Sequence, residues 1–284
     1  MGENLFRIPV GHWVETVLDW ITANFEAFFD VVKLVFQNFN DSLVWILTEP
    51  PFWVIILVLA VLAWLARSWK LGVGTIVGLL FIYGMNQWQN SMETLALVLV
   101  ASVIAVVISV PLGILTAKSR VVSTIVKPIL DFLQTMPAFV YLIPAILLLG
   151  IGAVPGIVAT IVFSLAPGTR FTELGIRNVN TEVLEAGQAF GASPGRILRQ
   201  IQIPLALPTI MAGINQVIML SLSMVVIAGM VGAGGLGAAV YKALTTLNTP
   251  LGVESGLSVV VLAIILDRIT ASLGQSNASS RNAS

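Results

Sequence analysis

The chain has 284 residues, of which 57% are hydrophobic and 10% charged, with no formal net charge and a mean hydropathy of +0.97. Soluble domains carry about 45–50% apolar residues, so this composition excludes an ordinary soluble globule and points to an all-α membrane protein. With no cysteine there are no disulfides and no thiolate metal sites, and the single histidine, His12, has no clustered partners with which to build a zinc centre.

The N-terminus lacks a basic stretch leading into an apolar one, which predicts no cleavable signal peptide. From 12 to 43, Trp13, Val17, Leu18, Ile21, Phe25, Phe28, Val32, Phe36 and Phe39 recur at helical spacing, while Glu15, Asp19, Glu26, Asp30 and Lys33 fall on the other face. A helix of this kind is expected to lie in the membrane interface rather than cross it. Pro50 and Pro51 stop it. Runs approaching the ~20 apolar residues that span a bilayer then follow. The first, 52–69, has Trp53, Trp64 and Trp69 near its ends as aromatic anchors. The others are expected at about 71–88, 94–117, 129–150 (holding Pro137 and Pro144), 155–169 (short), 208–231 and 254–272. This gives about seven transmembrane helices plus an N-terminal amphipathic helix.

The expected domains are an extracytoplasmic amphipathic region (1–51), two peripheral helices (52–93), a core (94–273) with a polar segment at 170–207, and a disordered polar tail (274–284). If the polar segment is cytoplasmic, eleven of the fourteen Lys and Arg residues fall on that side, and only Arg7, Lys33 and Lys242 on the other. That split obeys the positive-inside rule and puts the N-terminus outside and the C-terminus inside.

The polar segment has its own grammar. Asn180 or Thr181 can cap a short helix whose first turns carry Glu182 and Glu185, and Gly191 ends it. Ser193 and Pro194 start a second helix on which Arg196 and Arg199 share a face, and Pro204 and Pro208 are expected to end it before the next span. A short rigid helix with small residues at its bend suits docking to a cytoplasmic partner.

The stretch "EAGQAFG", followed after nine residues by "IQIP", resembles the EAA motif of ABC importer permeases: E-A-A, three residues, G, nine residues, I-x-L-P. Gly187 replaces the second Ala and Ile203 the Leu; both spacings hold. "LDFLQTMPAFVYLIPAILLLGIG" (130–152) and "AGINQVIMLSLSMVVIAGMVGAGGLG" (212–237) resemble the glycine betaine/proline betaine permeases of osmoprotectant uptake, over about residues 94–273. The resemblance implies the type I ABC importer permease fold. It implies a homodimer in the plasma membrane of a bacterial-type cell, surrounded by membrane lipids and paired with an ABC ATPase subunit and an extracytoplasmic substrate-binding protein. ATP and Mg would bind the ATPase, and this chain would hold no cofactor, bind no nucleic acid and not itself be an enzyme.

Carried onto this sequence, the resemblance makes Glu185, Ala186, Gly187, Gly191, Ile201 and Pro204 the ATPase-coupling contact, with Arg196 and Arg199 meeting acidic groups on its rim. Met136, Pro137, Phe139 and Tyr141, at a Pro-broken span, and Met224 are candidate lining for the translocation pathway. The Gly-dense "GMVGAGGLG" (229–237) suits a turn or gate near the outer face. No G-x-x-x-x-G-K-[ST] occurs, so the chain lacks a Walker A loop. An ion-coupled carrier is the rival class, but such carriers keep ionisable groups deep in the membrane, and the interiors of these spans hold almost none. Within the permease class, choline, carnitine or proline betaine remain alternative solutes.

Overall fold

The computed structural model describes residues 9–279. The first helix, α1 (Val10–Thr48), kinks at Phe25 and meets α2 (Phe52–Ala66) at 102° across the Pro50-Pro51 stop. α3 (Trp69–Gly84) returns beside α2, and this hairpin packs on the last helix, α12 (Thr249–Ser279). Phe52 stacks on Tyr83 at 4.1 Å, and Trp88 meets both rings edge-on, which ties the far end of the hairpin to α4 (Trp88–Lys118).

The core is α4, α7 (Ala153–Arg177) and α10 (Ile203–Ala228). Lipid offers helices little hydrophobic incentive to associate, so close backbone approach at small residues carries the packing. Gly113 of α4 faces Thr172 of α7, and Gly213 of α10 faces Phe171; a Cβ at either would lie 2.5 Å from those side chains. Between α4 and α7, α5 (Arg120–Thr135) and α6 (Ala138–Leu149) form one apolar helix pair, bent by 102° at Met136-Pro137. Beyond α10, a tight turn at Gly229–Val231 leads to α11 (Gly235–Thr246). The two orphan amides at the start of α11 are satisfied from α4: the Glu93 carboxylate accepts from Gly235 N–H at 2.9 Å, and the Thr94 hydroxyl from Leu236 N–H at 2.8 Å. The glycine density of 229–237 serves packing, because a Cβ on Gly229 would run into the backbone of Gly237.

Among the described residues, by length and composition, four helices (α4, α7, the α10 rod and α12) can cross a bilayer, and up to six if each bent pair counts as one span; α3, at 16 residues, is shorter. Every expected span has a helix. The boundaries differ in places. The span expected to be short, 155–169, is 25 residues long because α7 runs on through Pro167 to Arg177. Residues 170–177 therefore belong to that helix and not to a polar loop. At the other end, α12 is helical to Ser279, into the segment read as a tail; 280–284 lie outside the described residues.

Candidate coupling site

Four residues after the end of α7, the helix α8 (Thr181–Ala189) begins with the Asn180 side chain accepting from Glu182 N–H at 2.9 Å. It ends where Gly191 adopts φ +74°. Gly191 N–H reaches Gln188 O at 2.8 Å, and Ala192 N–H reaches Gly187 O at 3.1 Å. These two bonds close the helix end in a Schellman arrangement, which needs a left-handed residue at this position. α9 (Pro194–Ile197) follows Ser193, which precedes it with no side-chain capping bond.

The second helix does not end at Pro204 and Pro208. Instead Leu198–Gln202 widen into a π turn, with Ile203 N–H bonded to Leu198 O, and the rod continues without a break into α10. Interior prolines clash with the carbonyl four residues back. The wider turn immediately before Pro204 relieves that clash, and Pro204 sits in the first turn of α10, where proline is tolerated. The arrangement is therefore one short helix, a turn, and the start of a spanning rod.

α8 has no buried side chain, and Glu185 and Ala186 face solvent. Gly187, half-buried, is the point where α8 lies on the rod, over Ile201 and Ile197, the latter buried. Phe190 is 93% exposed. Sequence reasoning missed it; the signal was a large aromatic set among Ala and Gly, and a bare aromatic on a small-residue helix is what an interface anchor looks like before its partner arrives. Arg196 and Arg199 are exposed, have no ion-pair partner among the described residues, and line one shallow cavity of about 460 Å³ with Ser193 and Gln200.

A second feature was also missed. Glu173 of α7 is 5% exposed and carries the Lys127 ammonium at 3.1 Å, the Arg177 guanidinium at 2.7 Å and the Ser123 hydroxyl at 3.2 Å. Arg177 also donates to Thr116 O at 2.8 Å, and Arg170 pairs with Asp131. This node clamps the ends of α4 and α5 to α7 just before the chain leaves for α8. Arg170, Glu173 and Arg177 are spaced three and four apart, one helix face, which was the readable signal. These ionisable groups lie in the last turns of α7 and are ion-paired. Asp267 of α12 is a further ionisable group, held by Asn215 Nδ2 at 3.0 Å rather than by its neighbour Arg268.

Of the proposed pathway residues, Met136 and Pro137 form the break between α5 and α6, and Phe139 is exposed beside it. Tyr141 is buried, donates to Leu133 O across the break, and meets Phe163 edge-on at 5.8 Å. Met224 is fully buried inside α10, so it lines no surface of the single chain. Among the described residues no group of His, Cys, Asp or Glu could hold a metal ion.

An all-helical core with a bent helix pair and an exposed, capped helix between two spanning rods is the layout of a type I ABC importer permease. The solved inward-facing methionine transporter MetNI shares this fold, with a TM-score of 0.63 and 23% identity over 67% of this chain and 95% of that one. Residues 109–277 match the family model of the binding-protein-dependent transport system inner membrane component. The glycine betaine/carnitine transport permease protein GbuB of Listeria monocytogenes is 47% identical, covering 94% of this chain and 96% of that protein. OpuAB, the glycine betaine transport system permease of Bacillus subtilis, is 45% identical over 99% and 100%. The glycine betaine/proline betaine permease ProW of Escherichia coli is 44% identical over 97% and 78%. The chain belongs to the family of binding-protein-dependent transport system inner membrane components.

Proposed function

We propose that the chain is the membrane-spanning permease subunit of an ATP-driven importer of glycine betaine or a related compatible solute. The observation that carries this is α8, a capped helix with a bare aromatic and no core of its own, in a chain 44–47% identical to three permeases named for glycine betaine. Isolated helices this short are marginal in water, so α8 is built to be completed by a partner.

That partner is a cytoplasmic ABC ATPase, which binds the ATP and Mg; this chain, without a Walker A sequence, contributes no nucleotide site. ATP closes the ATPase pair, and α8 follows with Glu185, Ala186, Gly187 and Gly191 in contact and Arg196 and Arg199 on the acidic rim. Because α8 hangs between α7 and the α10 rod, its displacement moves both. The Glu173 node carries the motion of α7 to α4 and α5, and so to the Met136-Pro137 break. Two copies of the chain alternate between inward- and outward-facing states, a two-state equilibrium that nucleotide biases. An extracytoplasmic binding protein delivers the solute.

The sidedness proposed here puts α1 outside and α8 inside the plasma membrane. The excess of Lys and Arg on the side of α8 supports it, as does the place of Lys33 of α1 beside Gly150, at the end of α7 opposite to Arg177.

The test is purification of the tagged chain with its ATPase and binding protein, reconstitution into vesicles, and ATP-dependent uptake of radiolabelled glycine betaine. Uptake that excess unlabelled choline, carnitine and proline fail to suppress supports the reading. Uptake of one of these in preference to glycine betaine overturns the solute and keeps the mechanism, and uptake without the ATPase overturns both.

A further inference from the structure

We infer that the α2–α3 hairpin carries a binding site for one anionic phospholipid: an acyl chain lies in the groove between the helices, and the headgroup phosphate sits on Arg67 and Lys70. The groove holds about 480 Å³ and is lined only by apolar side chains, among them Trp53, Ile56, Trp64, Trp69 and Ile76. α3 comes close to α2 at Gly72, where a Cβ would lie 3.0 Å from the Ala60 carbonyl and 3.2 Å from Trp64 Cβ. The floor is therefore narrow, and Trp64 and Trp69, each more than half exposed, stand as its walls at one end. From Trp64 back to Trp53 the helix rises about 17 Å, close to the ~15 Å depth of one leaflet. The groove is one acyl chain long.

The headgroup end is what selects the lipid. Arg67 follows the last residue of α2, three positions after the Trp64 wall, and Lys70 follows the Trp69 wall in the first turn of α3; both are exposed and neither is in an ion pair among the described residues. Cations immediately outside a membrane helix draw anionic lipid, and tryptophan favours the same depth. The other face of the hairpin is committed to α12, so the groove looks outward to the bilayer. A phospholipid with one net negative charge satisfies both halves; a zwitterionic one satisfies only the groove.

Trp64 and Trp69 report occupancy directly. The protein is reconstituted in phosphatidylcholine vesicles doped with dibrominated phosphatidylglycerol or dibrominated phosphatidylcholine. Their fluorescence is isolated as the difference from a Trp64→Phe/Trp69→Phe variant. Quenching by the brominated phosphatidylglycerol is expected to half-saturate at a roughly 30-fold lower mole fraction than by the brominated phosphatidylcholine. Arg67→Gln/Lys70→Gln should erase that difference and leave the apolar quenching intact. Lys118→Gln/Arg120→Gln, which removes the same charge elsewhere, should not change it. Equal half-saturation by the two lipids overturns the site. So does a preference that survives the first double variant, or one that the second double variant abolishes equally, because the attraction is then diffuse. Absence of quenching by either lipid overturns it as well, because protein then covers the groove. None of these outcomes touches the transported solute or the ATPase.

Discussion

The δ-methyl of Ile201 stands where a side chain on residue 187 would be: a Cβ built on Gly187 lies 2.7 Å from it. The two ends of the motif, "EAG" and "IQIP", are thus in van der Waals contact, and Gly187 is where the short helix rests on the spanning rod. This accounts for the glycine at a position where the motif has alanine. An interior helix glycine costs about 0.5–1 kcal/mol relative to alanine, and here Ile201 takes up the room.

Gly187→Ala should be tolerated, since the methyl of Ile201 is the free end of a side chain and can turn aside while helix propensity improves. Gly187→Phe cannot be accommodated that way. It should lift α8 off the rod and lower solute transported per ATP several-fold while membrane insertion is unchanged, as measured by uptake and phosphate release on the same vesicles.

Gly191 tests the backbone alone. It has φ +74° and no atom within 4 Å of a built Cβ, so a side chain there meets no clash, only the left-handed penalty. Gly191→Ala should cost about 1–2 kcal/mol locally and loosen the end of α8, whereas Gly191→Asn should recover most of it because Asn tolerates this region. Assembly with the ATPase, read by pull-down titration, should follow the order Gly, Asn, Ala.

Phe190 should be the energetic anchor of the partner interface. Phe190→Ala is expected to weaken ATPase binding by about 2 kcal/mol, roughly 30-fold, with the chain's own thermal stability unaltered because the ring is 93% exposed. A change of less than about twofold in dissociation constant contradicts the assignment.

Glu173 should act differently, through stability as well as coupling. Removing it leaves Lys127 and Arg177 facing each other, but both side chains are about half exposed and can turn to water. Glu173→Ala should therefore cost about 1–3 kcal/mol, below the range for a fully buried orphaned charge. Lys127→Gln/Glu173→Gln, which removes a cation and its counter-charge together, should restore much of the midpoint of thermal unfolding in detergent.

Much of the fold was legible because each signal was local. The Pro50-Pro51 stop and the Gly191 end depend on a few consecutive residues and are where sequence placed them; of the two caps it offered the structure uses Asn180, and of the two prolines in the fourth span the break falls at Pro137. What was illegible depended on neighbours distant in sequence. Pro204 and Pro208 read as terminators, but the rod passes through both, and the π turn at Leu198–Gln202 accommodates Pro204. Glu173 looked unremarkable until α5 brought Lys127 and Ser123 against it, 46 and 50 positions away. Phe190 could be seen as an anchor only once its exposure was known.

The most direct test of the coupling assignment uses the absence of native cysteine. A single cysteine at Ala186 is labelled with a maleimide in the chain alone and in the complex with its ATPase, with a cysteine at Trp13 of α1 as reference. The account predicts ready labelling of position 186 in the free chain, strong protection in the complex, and no change at position 13. Equal labelling of position 186 in both preparations would contradict the docking of α8 on the ATPase.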